Sequence, residues 1–231
     1  MRRIILGFLG FIVVIIAAAW LTLKRDDISY AELESRYAFE ASKYVTLENG
    51  VRAHYLDVGP RDTEKTLLMV HGFSSSTHTW ADWIRALEAE YRIVAIDLPV
   101  HGLTEAPLDY QPSIEAFVEH VETMAAALDL EKFTLIGSSM GGNTSWQYAR
   151  KYPNRLDGLV LVGASGWPET ETDMENEPLI FKLISNPWLG PILQKIDMTD
   201  QIRNGLKASF VDQSLVTDDM VQRYSDLARA P

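Results

Sequence analysis

Phe133-Thr134-Leu135-Ile136-Gly137-Ser138-Ser139-Met140-Gly141-Gly142 is the stretch on which the fold turns. Its first four residues are a short apolar run, the pattern of a strand buried on both faces rather than one of alternating polarity. A helical pattern runs from about Gly142 to Lys151 and stops ahead of Pro153, because proline disfavours helical geometry in the residue before it. The Gly-x-Ser-x-Gly motif therefore sits at a strand-to-helix corner. Gly137 and Gly141 keep that corner free of side chains, so that the hydroxyl of Ser139 projects above the sheet edge as a candidate nucleophile. The helix adds its N-terminal amides and positive dipole end nearby.

Three further apolar runs read as buried strands: Leu67 to Val70, Ile93 to Leu98 and Leu159 to Val162. Between them lie helical spacings, at Trp80, Trp83, Ile84 and Leu87, and at Ile114, Phe117, Val118, Val121 and Leu128 behind Pro112. This βαβ alternation predicts an α/β fold with a mostly parallel sheet. Upstream, Tyr44 to Leu47 and Arg52 to Asp57 flank Glu48-Asn49-Gly50, an Asn-Gly hairpin signal, so two antiparallel strands lead into the sheet. The core is expected over residues 43–166. After Gly166, prolines at 168, 178, 187 and 191 punctuate segments carrying Trp167, Phe181, Trp188, Leu189 and Phe210, the texture of a partial helical lid over 167–231 or of a plain helical subdomain.

Acyl transfer needs donors for a tetrahedral oxyanion, each worth roughly 2.7 to 4 kcal/mol in comparable sites. The amide of Met140, next to Ser139, is one. The loop after the Leu67 to Val70 strand, His71-Gly72-Phe73, should supply the other, with the amide of Phe73 as the candidate. His71 ends a strand and precedes glycine, so it reads as a support of that loop through hydrogen bonds rather than as a general base.

Composition narrows the partners. The formal charge is −11, and without Arg2 and Arg3 the chain carries 19 basic against 32 acidic side chains, a surface that repels nucleic acid. There are no cysteines, which excludes disulfides, thiolate metal sites and a cysteine nucleophile. No metal or organic cofactor is implied by the motifs, and oligomeric state is not encoded in any pattern.

Residues 4–23 are uncharged, enough at about 1.5 Å per residue to span a hydrocarbon core of roughly 30 Å. With Arg2 and Arg3 ahead, they read as a membrane-embedded signal anchor holding the domain on the outer or periplasmic side. The alternative is a cleaved signal peptide ending near Ala17-Ala18-Ala19, which would leave a secreted domain. Residues 24–42 read as a charged linker or short helix.

The chain resembles the α/β-hydrolase fold superfamily, and within it the lipase and esterase group. The resemblance rests on His71-Gly72-Phe73, on the turn Asp97-Leu98-Pro99-Val100-His101-Gly102, on the Gly137 to Gly142 elbow, and on Tyr152-Pro153 followed by Leu159 to Gly163. It implies a mostly parallel sheet with a lid over the nucleophile, and a triad in the chain order Ser, acid, His. Two features depart from it. Val100 stands where such turns carry glycine, and a positive φ there would strain a β-branched residue. All five histidines, His54, His71, His78, His101 and His120, precede Ser139, so the base is not where the family places it. Asp197, Asp200, Asp212, Asp218 and Asp219 read as a solvated face rather than as the triad acid. The expectation is the N-terminal part of a longer enzyme, poorly active as it stands, with one sheet edge left open and apolar.

Three functions compete: hydrolysis of uncharged, apolar carboxylic esters through an acyl-enzyme on Ser139, hydrolysis of a carbon–carbon bond in a dienoic keto acid, and a non-catalytic, membrane-anchored binding or scaffold protein. The Ser-Met-Gly-Gly elbow also resembles the carbon–carbon hydrolases, whose anionic substrates would need Arg or Lys in the pocket.

Overall fold

The computed structural model describes residues 20, 24–63, 65–167, 183, 186, 189–193 and 195–231. Helix α1 (Tyr30–Tyr37) leads into strands β1 (Ser42–Thr46) and β2 (Arg52–Val58), which pair antiparallel across the Asn49-Gly50 turn. Gly50 has φ of 81° there, a conformation in which a side chain is strained. Then come β3 (Thr66–Val70), a 3₁₀ turn (Thr77–Trp80), α2 (Ala81–Leu87), β4 (Arg92–Ile96), α3 (Ile114–Ala127), β5 (Phe133–Ser138), α4 (Met140–Lys151) and β6 (Leu156–Val162). The sheet order is β1-β2-β4-β3-β5-β6, with β4, β3, β5 and β6 parallel. Helix α3 starts at Ile114 because Ser113, not Pro112, caps it: the Ser113 hydroxyl accepts the Ala116 amide at 3.1 Å.

Two apolar layers sandwich the sheet. Leu68, Val70, Val94, Ile96 and Leu135 face Phe117, Val121, Met124 and Tyr148 on one side. Leu67, Met69, Ile93, Ala95 and Ile136 face Trp80 and Ile84 on the other. Burial of both faces explains the unbroken apolar runs in β3, β4 and β5. β6 has the same composition and a different fate. Among the described residues it is an edge strand, and Leu159, Val160, Leu161 and Val162 are exposed.

Beyond the sheet come α5 (Gly190–Leu193), α6 (Thr199–Ser209) and α7 (Asp218–Leu227). Phe181 and Trp188 lie outside the described residues, as do the prolines at 168, 178 and 187. The segment from residue 24 to α1 packs on this region. The Arg25 amide donates to Lys195 O at 2.8 Å, the Arg25 guanidinium meets Asp197 at 2.7 Å, and Ile28, Leu33, Leu103 and Leu227 share a small core.

The membrane reading is corrected here. Among the described residues no helix is long and apolar enough to cross a membrane. Residues 1–19 and 21–23, which hold nearly all of the apolar run, lie outside the described residues. The segment from Lys24 onward is built into the domain by the Arg25 contacts and by pairing of Lys24 with Ile196.

Val100 has φ of 59° and its side chain is half exposed, 47%. A β-branched residue in this region costs of order 1–3 kcal/mol, and little packing is lost on removing it. Val100→Gly should therefore raise stability by about 1 kcal/mol, read as an increase in the urea midpoint at unchanged m. A lower midpoint would show that the Val100 side chain contributes more packing than its backbone costs.

Candidate active site

Parallel pairing sets the site. β3 and β5 are neighbours with Val70 opposite Gly137, so the loops leaving their C-terminal ends emerge side by side. One is His71-Gly72-Phe73 and the other is Ser138-Ser139. A Cβ on Gly72 would lie 3.1 Å from Ser139 Cβ and 3.7 Å from Ser139 Oγ, which measures how closely the two loops approach.

Ser139 sits at φ 52°, ψ −116°, an uncommon backbone conformation for any residue bearing a side chain. Three main-chain hydrogen bonds hold it there. Its amide donates to Val162 O at 3.0 Å, and its carbonyl accepts the amides of Asn143 at 3.0 Å and Ser165 at 3.1 Å. The corner is also sterically demanding. A Cβ on Gly137 would lie 2.3 Å from Gly141 O, and one on Gly141 would lie 2.3 Å from both Val70 O and His71 O. The absence of side chains at 137 and 141 thus lets α4 dock directly on the ends of β3 and β5. Met140 is the first residue of α4, and the Phe73 side chain is exposed and edge-on to His101 at 5.9 Å.

His71 is fully buried. Its Nδ1 lies 2.7 Å from Gly72 O and its Nε2 is 3.0 Å from the Leu98 amide, so Nδ1–H donates and Nε2 accepts. Burial pushes its pKa down to about 4, against the pull of Asp97, so the ring is neutral at pH 7 and uses both nitrogens to tie the loop to the turn after β4. Both nitrogens being occupied, it cannot take a proton from Ser139.

The residue that sequence reasoning undervalued is Asp97. It is buried, and one oxygen accepts the Thr77 amide at 2.6 Å while the other accepts the Leu103 amide at 2.8 Å and His54 Nδ1–H at 2.7 Å. Burial alone would raise this carboxyl, but the His54 bond, the histidine charges and the Leu103 amide outweigh it and bring the pKa down to about 2. Asp97 so locks the segment after the Phe73 loop to the turn carrying Val100 and His101. The aspartate of the Asp97-Leu98-Pro99 turn was visible in the sequence, but its partners 20 to 43 positions away were not.

His54 completes the network by accepting the Ser42 hydroxyl at Nε2, 2.7 Å. This Ser42-His54-Asp97 chain has the connectivity of a triad. It is a structural brace, because Ser42 Oγ also accepts the Phe39 amide at 2.9 Å and Asp97 already serves two loop amides. His101 donates from Nδ1 to Pro99 O at 3.0 Å, His78 lies 3.2 Å from Ser76 Oγ, and His120 is buried in α3, where burial lowers its pKa to about 4. None of the described hydrogen bonds joins a histidine to Ser139 Oγ. Among the described residues no group of three or more His, Asp or Glu side chains is arranged to hold a metal.

Comparison with known proteins agrees with this geometry. A family model described as alpha/beta hydrolase fold matches residues 65–185. The chain is 30% identical over 202 residues, 82% of its length and 66% of the relative's, to a 2-hydroxy-6-oxononadienedioate/2-hydroxy-6-oxononatrienedioate hydrolase of Comamonas testosteroni. It is 29% identical over the same shares to a 2-hydroxy-6-oxo-6-phenylhexa-2,4-dienoate hydrolase of Burkholderia cepacia. A crystal structure of a meta-cleavage product hydrolase superposes with a TM-score of 0.63 at 30% identity, covering 81% of this chain and 64% of the other. The chain thus spans about two thirds of the length of these curated relatives, 66% in each case. With its sheet order, its strained serine at the β5–α4 corner and this match over more than half its residues, the chain belongs to the α/β-hydrolase fold family.

Proposed function

We propose that this chain carries the nucleophilic half of a serine hydrolase site, in which Ser139 Oγ attacks a substrate carbonyl carbon. The observation that carries the reading is Ser139 itself: strained, held by three backbone bonds and facing the Gly72 loop. In the reaction the hydroxyl proton leaves as the oxygen–carbon bond forms. The carbonyl π electrons move to oxygen, and the amides of Met140 and Phe73 receive the oxyanion. Collapse of that intermediate expels the leaving group and leaves an acyl-enzyme, which water hydrolyses. His71, Gly72, Gly137 and Gly141 shape the corner without touching substrate.

The proton needs an acceptor. Among the described hydrogen bonds none joins a histidine to Ser139, so in this reading the acceptor is water or an added base, and turnover is low. Enzymes stripped of a triad member retain a residual enhancement of about 10³ to 10⁴ over water.

The first substrate class is an uncharged carboxylic ester with an apolar acyl group, favoured by the exposed Phe73 and Trp167 and by the acidic surface. A second reading, cleavage of the carbon–carbon bond in a dienoic keto acid, is favoured by the activities for which the two relatives above are named. Both use the same serine. The test supplies imidazole as an external base to the 231-residue chain, with p-nitrophenyl butyrate and a 2-hydroxy-6-oxo-6-phenylhexa-2,4-dienoate as substrates. Imidazole should raise ester turnover at least about tenfold over the chain-free reaction, and Ser139→Ala should abolish the difference. Turnover of the keto acid alone would select the second reading. Ser139-independent turnover of both would remove Ser139 from the mechanism.

A further inference from the structure

A cavity of about 330 Å³ opens between the end of α1, the 3₁₀ turn and α7, and no residue of the Ser139 corner or the Gly72 loop lines it. Its walls include Tyr37 and Phe39 from one side, His78 from the turn, and Arg36 and Arg223. The two arginines differ. Arg36 is engaged: its Nη1 donates to Asp226 Oδ2 at 2.9 Å and its Nη2 pairs with Glu32. Arg223 has a buried Nε without a hydrogen-bond partner, and among the described residues no carboxylate forms an ion pair with it. Asp219, one turn earlier on α7 and on the same wall, is exposed and forms no described ion pair with it.

The Nε itself is covered, so what lines the groove is the rest of a partly exposed guanidinium with no described ion pair, a cation open to an acceptor. Beside it stands His78, its ring 4.3 Å from that of Phe39. Burial first, and then the Arg223 charge, lower the pKa of His78 to about 4, so near pH 7 it is a neutral partner and not a second cation. One unmatched planar donor and aromatic walls on Tyr37 and Phe39 suit a small oxyanion with a flat apolar body. A cavity of this size holds about one aromatic ring with its carboxylate.

We propose that this groove is a binding site for a small aryl carboxylate, whose oxygens accept from Arg223 and whose ring packs on Tyr37 and Phe39. The ligand would bridge α1, the 3₁₀ turn beyond the Phe73 loop, and α7. Tyr224 on α7 lies 3.1 Å from Ser75 Oγ in that loop, so occupancy bears on the segment beside the nucleophile without touching it.

The test is calorimetric titration of the 231-residue chain with benzoate, acetate and inorganic phosphate at matched ionic strength. Benzoate should bind saturably and more tightly than acetate or phosphate. Arg223→Gln should weaken it by about tenfold or more, the share of a charge-assisted hydrogen bond. Ala38→Glu, which places a negative charge on an exposed part of the same wall and breaks no described contact, should do likewise. Ser139→Ala should bind as the wild type does, so the result stands or falls independently of the nucleophile. No saturable binding of benzoate at tens of millimolar, unchanged affinity in either charge variant, or tighter binding of phosphate would overturn the proposal.

Discussion

Gly141→Ala should cost about 3 kcal/mol or more, while Gly205→Ala in the same protein should gain about 0.5 to 1 kcal/mol. The decisive difference is what a new methyl group would meet. At Gly141 it would stand 2.3 Å from two backbone oxygens, Val70 O and His71 O, neither of which can swing aside as a side-chain terminus does. Either α4 lifts from β3 or the His71-Gly72 peptide rotates, and both changes displace Ser139 from the loop it faces. At Gly205, inside α6, no described atom outside its chain neighbours and the helix's own backbone lies within 4 Å, so alanine brings mainly its better helix propensity. Urea midpoints of the two variants provide the comparison. A Gly141→Ala protein within about 0.5 kcal/mol of wild type would mean that α4 does not dock on β3 in this way.

Acid should unfold the domain in a window set by its buried histidines. His71 and His120 have folded pKa values near 4, with burial as the main cause in each. Both lie below the unfolded value of about 6.5, so the unfolded chain binds protons first as pH falls. The stabilisation is intact above about pH 6.5 and is lost on the way down to about 4. At these values each ring accounts for roughly 3 kcal/mol, against a total stability of about 5–15 kcal/mol for a domain. Asp97, with a folded pKa of about 2, acts in the next window: its contribution is present above about 4 and disappears as the pH approaches 2. Denaturation midpoints measured from about pH 7 to 4 should therefore fall steeply, and His120→Leu should flatten the slope by up to about one proton. Stability that is flat from about pH 6.5 to 4 would show that neither ring is held neutral by burial.

The parts of the fold written in contiguous residues were legible. The apolar runs of β3, β4 and β5 and the Asn49-Gly50 turn each encode their element locally, and the strand-to-helix setting of Gly137 to Gly141 picks out the corner. Val100 was legible as a condition, strain if φ is positive, and the observed 59° meets it. The meeting of distant polar residues could not be read in the same way. Ser42, His54, Thr77 and Asp97 come from four separate segments and converge only because β1, β2 and β4 are consecutive in the sheet while β3 leads to Thr77. β6 is a mixed case: its composition reads as a strand buried on both faces, yet burial is decided by neighbours, and among the described residues it has one strand beside it and forms the open apolar edge that the sequence led one to expect. The charged stretch after residue 24 likewise gave no sign that Arg25, Arg36 and Tyr37 pair with Asp197 and Asp226 nearly two hundred residues away.

The placement of a reactive serine at the β5–α4 corner is tested most directly by phosphonylation. The 231-residue chain would be treated with a fluorophosphonate, with and without imidazole, digested, and the modified residue identified by mass spectrometry. The expected result is a single adduct on Ser139, formed faster with imidazole and absent from Ser139→Ala, with Ser42 and Ser138 unmodified. No adduct on Ser139 under either condition, in protein shown to be folded by its urea transition, would contradict that placement and leave the non-catalytic binding protein as the better reading.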